Sequence, residues 1–166
     1  MLDAWLSRNR LAPETAAIGL GVAALVIAHA AQLAGNVPCA LCYLERWPYR
    51  AAIGLGVLAW LLPVLRHQLR LLLPLAFLAA LSLAFTHVGV EFGWWKSPLP
   101  ECAAPVLNTG SVHDLLASMP SHPSKPCDDP TYLVPGLPLS MAQMNLLYAL
   151  FGSVSLAILV GKERRT

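Results

Sequence analysis

The sequence predicts an all-α protein, a four-helix transmembrane bundle. Both termini are expected in the cytoplasm, and a long second outer loop is expected to carry a short interfacial helix. Three observations predict this. First, 57% of the 166 residues are hydrophobic and 12% are charged, with a mean hydropathy of +0.59. A soluble domain carries about 25% charged residues, so this chain lacks the charge to cover a water-facing surface. Second, Asp, Glu, Lys and Arg are missing between Glu14 and Glu45, Arg50 and Arg66, Arg70 and Glu91, and Asp129 and Lys162. A spanning helix needs about 20 apolar residues. Third, the basic residues alternate between the segments that join these runs. The net charge of +2 is too small to indicate nucleic acid as a partner.

The first span is expected near 14–34. Arg8 and Arg10 precede it, and Ala28-His29-Ala30 resembles a signal-peptidase site. The apolar run continues past Ala30, and its removal would leave three spans, so a retained helix is the better reading. His29 within it reads as a packed or hydrogen-bonded residue. The second span, near 46–65, is the shortest uncharged run; it can cross if Arg46 and Arg50 snorkel to the interface. The third is expected near 70–90 and the fourth near 141–161, with Pro63 and Pro74 flanking a short 66–70 turn. Arg8, Arg10, Arg66, Arg70, Lys162, Arg164 and Arg165 then share one side, which the positive-inside rule makes cytoplasmic. The outer loops are 35–45 and 91–140, in a single integral membrane domain 1–166.

Ala-Ile-Gly-Leu-Gly-Val occurs at 17–22 and again at 52–57. Neither copy continues as a nucleotide-binding glycine loop. Small residues that let two helices approach are the better account. Trp94 and Trp95, at the end of span three, read as interfacial anchors. Ser111 and Asp114 approximate a capping box. Val112, Leu115, Leu116 and Met119 then form one apolar stripe, stopped by Pro120. This is the expected helix lying on the bilayer surface.

All four cysteines fall on the outer side of this topology, where disulfides persist. Cys39 and Cys42 have Cys-x-x-Cys spacing and are expected in the first turn of span two, where backbone N–H groups favour a thiolate. Arg46 follows Cys42 by one helical turn and would favour the same anion; Glu45 either pairs with Arg46 or opposes it. Cys102 and Cys127 lie in a long segment rich in Pro and Ser, expected to be water-exposed. Four cysteines permit three pairings. They fit a stapled loop in a non-catalytic membrane protein, a Cys₄ zinc site, or a relay in which one pair exchanges with the other. A relay needs a membrane-side electron acceptor. A quinone beside Arg46 is the economical one, with Arg46 bonding a carbonyl. His87 is an intramembrane ionisable residue and so a functional candidate, with Glu91 four residues on behind it.

The string Pro38-Cys39-Ala40-Leu41-Cys42, then Glu45-Arg46, with four spans and the later pair Cys102 and Cys127, resembles the DsbB family of disulfide bond formation proteins. The resemblance covers nearly the whole chain. It implies a thiol oxidase of the bacterial inner membrane whose cysteines face the periplasm. Its implied partners are a periplasmic, thioredoxin-like DsbA-like oxidase, membrane lipid, and ubiquinone or menaquinone as cofactor. It implies that Cys102 forms the mixed disulfide with the partner, with Cys127 as its mate. Cys39 would exchange with Cys127, and Cys42 would face the quinone as a thiolate. Arg46 would bind the quinone head. His87 matches a quinone-proximal histidine, and Gln32 a polar residue ahead of the Cys-x-x-Cys motif. A vitamin-K-epoxide-reductase-like oxidoreductase is the nearest enzymatic alternative, but there the membrane motif follows the loop pair instead of preceding it.

Overall fold

The computed structural model describes residues 13–102, 125–134 and 136–163. Those residues form helices α1 (Pro13–Leu33), α2 (Ala40–Leu44), α3 (Arg46–Leu61), α4 (Arg66–Glu91) and α5 (Met141–Glu163), with 3₁₀ turns at Pro63–Leu65 and Pro100–Cys102 and no strand. The expected surface helix at 111–119 lies outside the described residues.

Three segments are long and apolar enough to cross a membrane: Pro13–Leu33, Pro63–Glu91 and Met141–Glu163. The expected second span is shorter than its charge-free run. α3 ends at Leu61 because Leu62 precedes Pro63 and takes φ −119° and ψ 78°, outside the helical region. Its 16 residues rise about 24 Å. The expected 66–70 turn is instead the start of α4, and Pro74 lies inside that helix rather than at its end. Gly35 and Gly93, with φ of +92° and +69°, supply the left-handed residues that follow α1 and α4.

α1 packs on α3, α3 on α4 and α4 on α5, while α1 and α5 meet only lightly. The core runs down the middle through Ala17, Tyr49, Ala52, Leu73, Phe77, Ala80, Ala149 and Leu156. The repeated hexapeptide packs against itself. A Cβ added to Gly21 would stand 2.7 Å from Ile53 Cγ1, and one added to Gly56 would stand 2.7 Å from Ile18 Cγ1. Each isoleucine fills the groove left by the other copy's glycine. That reciprocal fit brings the two backbones close in antiparallel register. Large apolar side chains face outward along the bundle, including Val26, Ile27, Leu61, Phe151 and Ile158. In water this would be costly, whereas in a bilayer it is the lipid-facing surface.

At the end away from the cysteines, Glu14 is fully buried and takes hydrogen bonds from Arg66 and Arg70, and Arg70 Nη1 also reaches Glu163 at 2.5 Å. This cluster ties α1, α4 and α5 together. It also shows that Arg66 and Arg70, which count toward the positive side in sequence, are paired with acids.

Candidate functional site

Cys39 caps α2 with extended backbone (φ −85°, ψ 171°), and its Sγ accepts the Cys42 N–H at 3.2 Å. The two cysteines therefore sit on a separate short helix ahead of α3, not in the first turn of the second span. Both are free thiols, with sulfurs 2.6 Å apart. The hydrogen bond from Cys39 draws the Cys42 thiol down to about 7 against the opposing effect of burial. The same bond, together with burial, pushes the Cys39 thiol up. The pair therefore loses its first proton from Cys42 and holds the second on Cys39.

Cys102 and Cys127 form a disulfide. The expectation of a water-exposed pair is corrected: Cys102 is 4% and Cys127 1% exposed, and both pack with Cys39, Leu41 and Val90. The reason is composition, since two half-cystines beside Val and Leu form an apolar cluster that excludes water. All four sulfurs thus gather at one end of the bundle. With Cys102 and Cys127 oxidised, a Cys₄ metal site is not available in this state. Cys39, Cys42 and His87 offer three ligand atoms within 4.8 Å of one another.

His87 bridges the thiols and a carboxylate. Its Nδ1 lies 2.8 Å from Glu45 Oε1 and its Nε2 lies 3.5 Å from Cys39 Sγ. An ionised carboxylate only accepts, so Nδ1 carries the proton and Nε2 faces the thiol. Glu45 Oε2 accepts from Asn145 Nδ2 at 2.9 Å, and Asn145 Oδ1 accepts from Tyr49 OH at 2.6 Å. The open question of the Glu45 partner is therefore answered by His87 and Asn145, not by Arg46.

Arg46 also departs from expectation. Instead of reaching Cys42, its Nη1 donates to Gln32 Oε1 at 2.7 Å and its guanidinium lies over the Tyr43 ring. Gln32 Nε2 in turn donates to Tyr43 OH at 3.1 Å. Arg46 is 5% exposed, and its Nε is buried with no partner.

A cavity of about 270 Å³ opens here between α1 and α5, which meet only lightly. Cys42, Glu45, Arg46, His87, Gln32 and Asn145 give it a polar end, and Leu25, Ala28, Val37, Leu133 and Met141 make the rest of its wall apolar. Asn145 and Tyr49 were missed in sequence. An asparagine in a charge-free run was the available signal, but its partner is 100 residues away. Glu91 does not join the thiols; it accepts from Ser140 Oγ at 2.5 Å. His29 bonds the Leu25 carbonyl at 2.7 Å, and α1 runs through Ala28-His29-Ala30 unbroken. Trp94 and Trp95 are exposed and cluster with Phe85 and Phe92, as interfacial anchors would.

An all-helical chain with membrane-length helices, a dithiol and a disulfide gathered at one end defines a class, the membrane thiol oxidoreductases. The family model described as disulfide bond formation protein DsbB matches residues 12–159. The chain belongs to the DsbB family, whose members are membrane proteins of disulfide-bond formation. No curated protein and no solved structure gives a significant match.

Proposed function

We propose that this chain is a quinone-dependent thiol oxidase of the bacterial inner membrane. In this reading it reoxidises a periplasmic DsbA-like dithiol oxidase by disulfide exchange and passes the electrons to membrane ubiquinone or menaquinone. One observation carries the proposal. An apolar cavity between α1 and α5, which meet only lightly, brings a readily ionised thiol, Cys42, to the same polar end as the Arg46 guanidinium. A flat apolar ring with carbonyl oxygens fits that donor set. When bound, a quinone supplies a sink for two electrons and two protons.

The remaining steps belong to the chain. A partner thiolate attacks Cys102 Sγ and Cys127 leaves. Cys127 then attacks Cys39 Sγ of an oxidised Cys39–Cys42 pair, and Cys42 leaves as a thiolate. The outer pair is again a disulfide once the partner's second thiol displaces Cys102 and Cys102 displaces Cys39 from Cys127. The present state, with the outer pair bonded and the inner pair as thiols, corresponds to the point before the inner pair is reoxidised. His87 Nε2 takes the Cys39 proton, Arg46 holds the acceptor's carbonyl, and the Cys39–Cys42 bond forms as the pair gives up two electrons.

Purified protein mixed with quinone and reduced partner should consume two thiols for each quinone reduced. Arg46→Ala should raise the quinone concentration needed for half-maximal rate by about tenfold or more, the loss expected for a charge-assisted hydrogen bond. Exchange at Cys102 should be nearly unchanged. Equal loss in both half-reactions would remove Arg46 from the quinone site, and no quinone reduction by the parent protein would leave only a stapled membrane protein.

A further inference from the structure

We propose that Asn145, on α5, is a positioning residue for the thiol chemistry: it holds the Glu45 carboxylate in the one orientation that aims His87 Nε2 at Cys39. The inference rests on the oxidase reading above and adds a residue that the motif does not contain.

The geometry is a single chain of hydrogen bonds across three helices. Tyr49 OH on α3 donates to Asn145 Oδ1, and Asn145 Nδ2 donates to Glu45 Oε2. Glu45 Oε1 meets His87 Nδ1 on α4, and His87 Nε2 meets Cys39. Tyr49 is 3% and Glu45 6% exposed, so water does not replace either partner cheaply. A carboxylate at the α2–α3 junction can rotate about its side-chain bonds. Two separate donors, one on each oxygen, fix the plane of the carboxylate. With the plane fixed, the imidazole is fixed too, because its Nδ1–H has one acceptor. Asn145 also orders the sequence of donors: its amide is itself oriented by the Tyr49 hydroxyl.

This matters because Cys39 is the thiol that resists ionisation. It is buried beside Cys42 and must lose its proton before the inner disulfide can close. Several charges act on this pair. Cys42, Glu45 and Arg46 lie at the α2–α3 junction, Glu91 lies one turn beyond His87 on α4, and Lys125 acts on Glu91 from the outer loop. The Cys102–Cys127 disulfide on the other side is neutral. Among the described side chains, Cys39 Sγ has two partners at hydrogen-bonding distance, the Cys42 sulfur at 2.6 Å and His87 Nε2 at 3.5 Å, and of these Nε2 is the one that can carry a proton away as the two sulfurs join.

Asn145→Leu keeps the volume and suits a membrane helix, and Tyr49→Phe removes one hydroxyl only. Asn145→Leu should lower kcat with saturating quinone about tenfold at neutral pH, as loss of a partner-orienting residue typically does. KM for quinone should stay within about twofold, and the deficit should shrink as pH rises. Tyr49→Phe should lower kcat less, by at most about fivefold. A second measurement needs no quinone and no partner. In Cys42→Ser, the ultraviolet thiolate absorbance of Cys39 should rise at lower pH than in the Cys42→Ser/Asn145→Leu double variant. Coincident titrations would overturn the proposal. So would a raised quinone KM with kcat retained, which would make Asn145 a quinone ligand, or a loss equal at every pH, which would make it structural. Failure of the parent protein to reduce quinone would sink the oxidase reading while leaving the Cys39 titration to be judged on its own.

Discussion

Two thiols with sulfurs 2.6 Å apart cannot ionise independently, and the environment decides which one goes first. Cys42 goes first, near 7 against an ordinary 9.0, and Cys39 is pushed the other way. Protein with the Cys102–Cys127 disulfide intact and the inner pair as thiols, treated with a small uncharged alkylating reagent, should therefore be modified once, at Cys42, with a rate that levels off just above pH 7. Mass spectrometry of the labelled peptides checks this. Equal labelling of Cys39 and Cys42, or a rate still climbing at pH 9, would refute the assignment of Cys42 as the leaving and electron-donating sulfur.

The α1–α3 crossing is the element on which the site is mounted. α1 carries Gln32, and α3 carries Arg46 and Tyr49. The crossing depends on Gly21 and Gly56, each covered by an isoleucine of the other helix. Gly56→Leu would push Ile18 and the Glu14 carbonyl away and shift the register of α3 against α1. Overpacking of this kind typically costs about 1–3 kcal/mol. The thermal midpoint in detergent should fall by several degrees, whereas Gly54→Leu, where a Cβ meets nothing within 4 Å, should be tolerated. Equal effects from the two substitutions would mean that the repeat does not form the crossing.

The whole molecule separates its chemistry from its clasp. Sulfurs and cavity lie at one end; Glu14 with Arg66, Arg70 and Glu163 lies at the other. Glu14→Leu removes the acid and leaves two arginines facing each other, Arg70 largely buried. Breaking a buried pair costs up to about 3–5 kcal/mol, less here because Arg66 is partly in solvent. The expected result is a lower thermal midpoint with the quinone KM unchanged. A change in KM at unchanged stability would mean that the two ends are coupled.

The sequence by itself determined the class of protein, the rough position of its helices and the list of reactive sulfurs. Charge-free runs and a Cys-x-x-Cys string are local patterns, and bilayer thickness and thiol chemistry act on them directly. The tertiary structure decided which partner each polar side chain takes. Glu45 is adjacent to Arg46 in sequence but bonds His87 and Asn145, 42 and 100 residues away. Cys102 and Cys127 sit in a polar stretch, yet they are buried because Cys39, Leu41 and Val90 close over them. Hydrogen bonds and burial depend on what other helices bring to the same few ångströms, and the helical period along one segment carries no record of that.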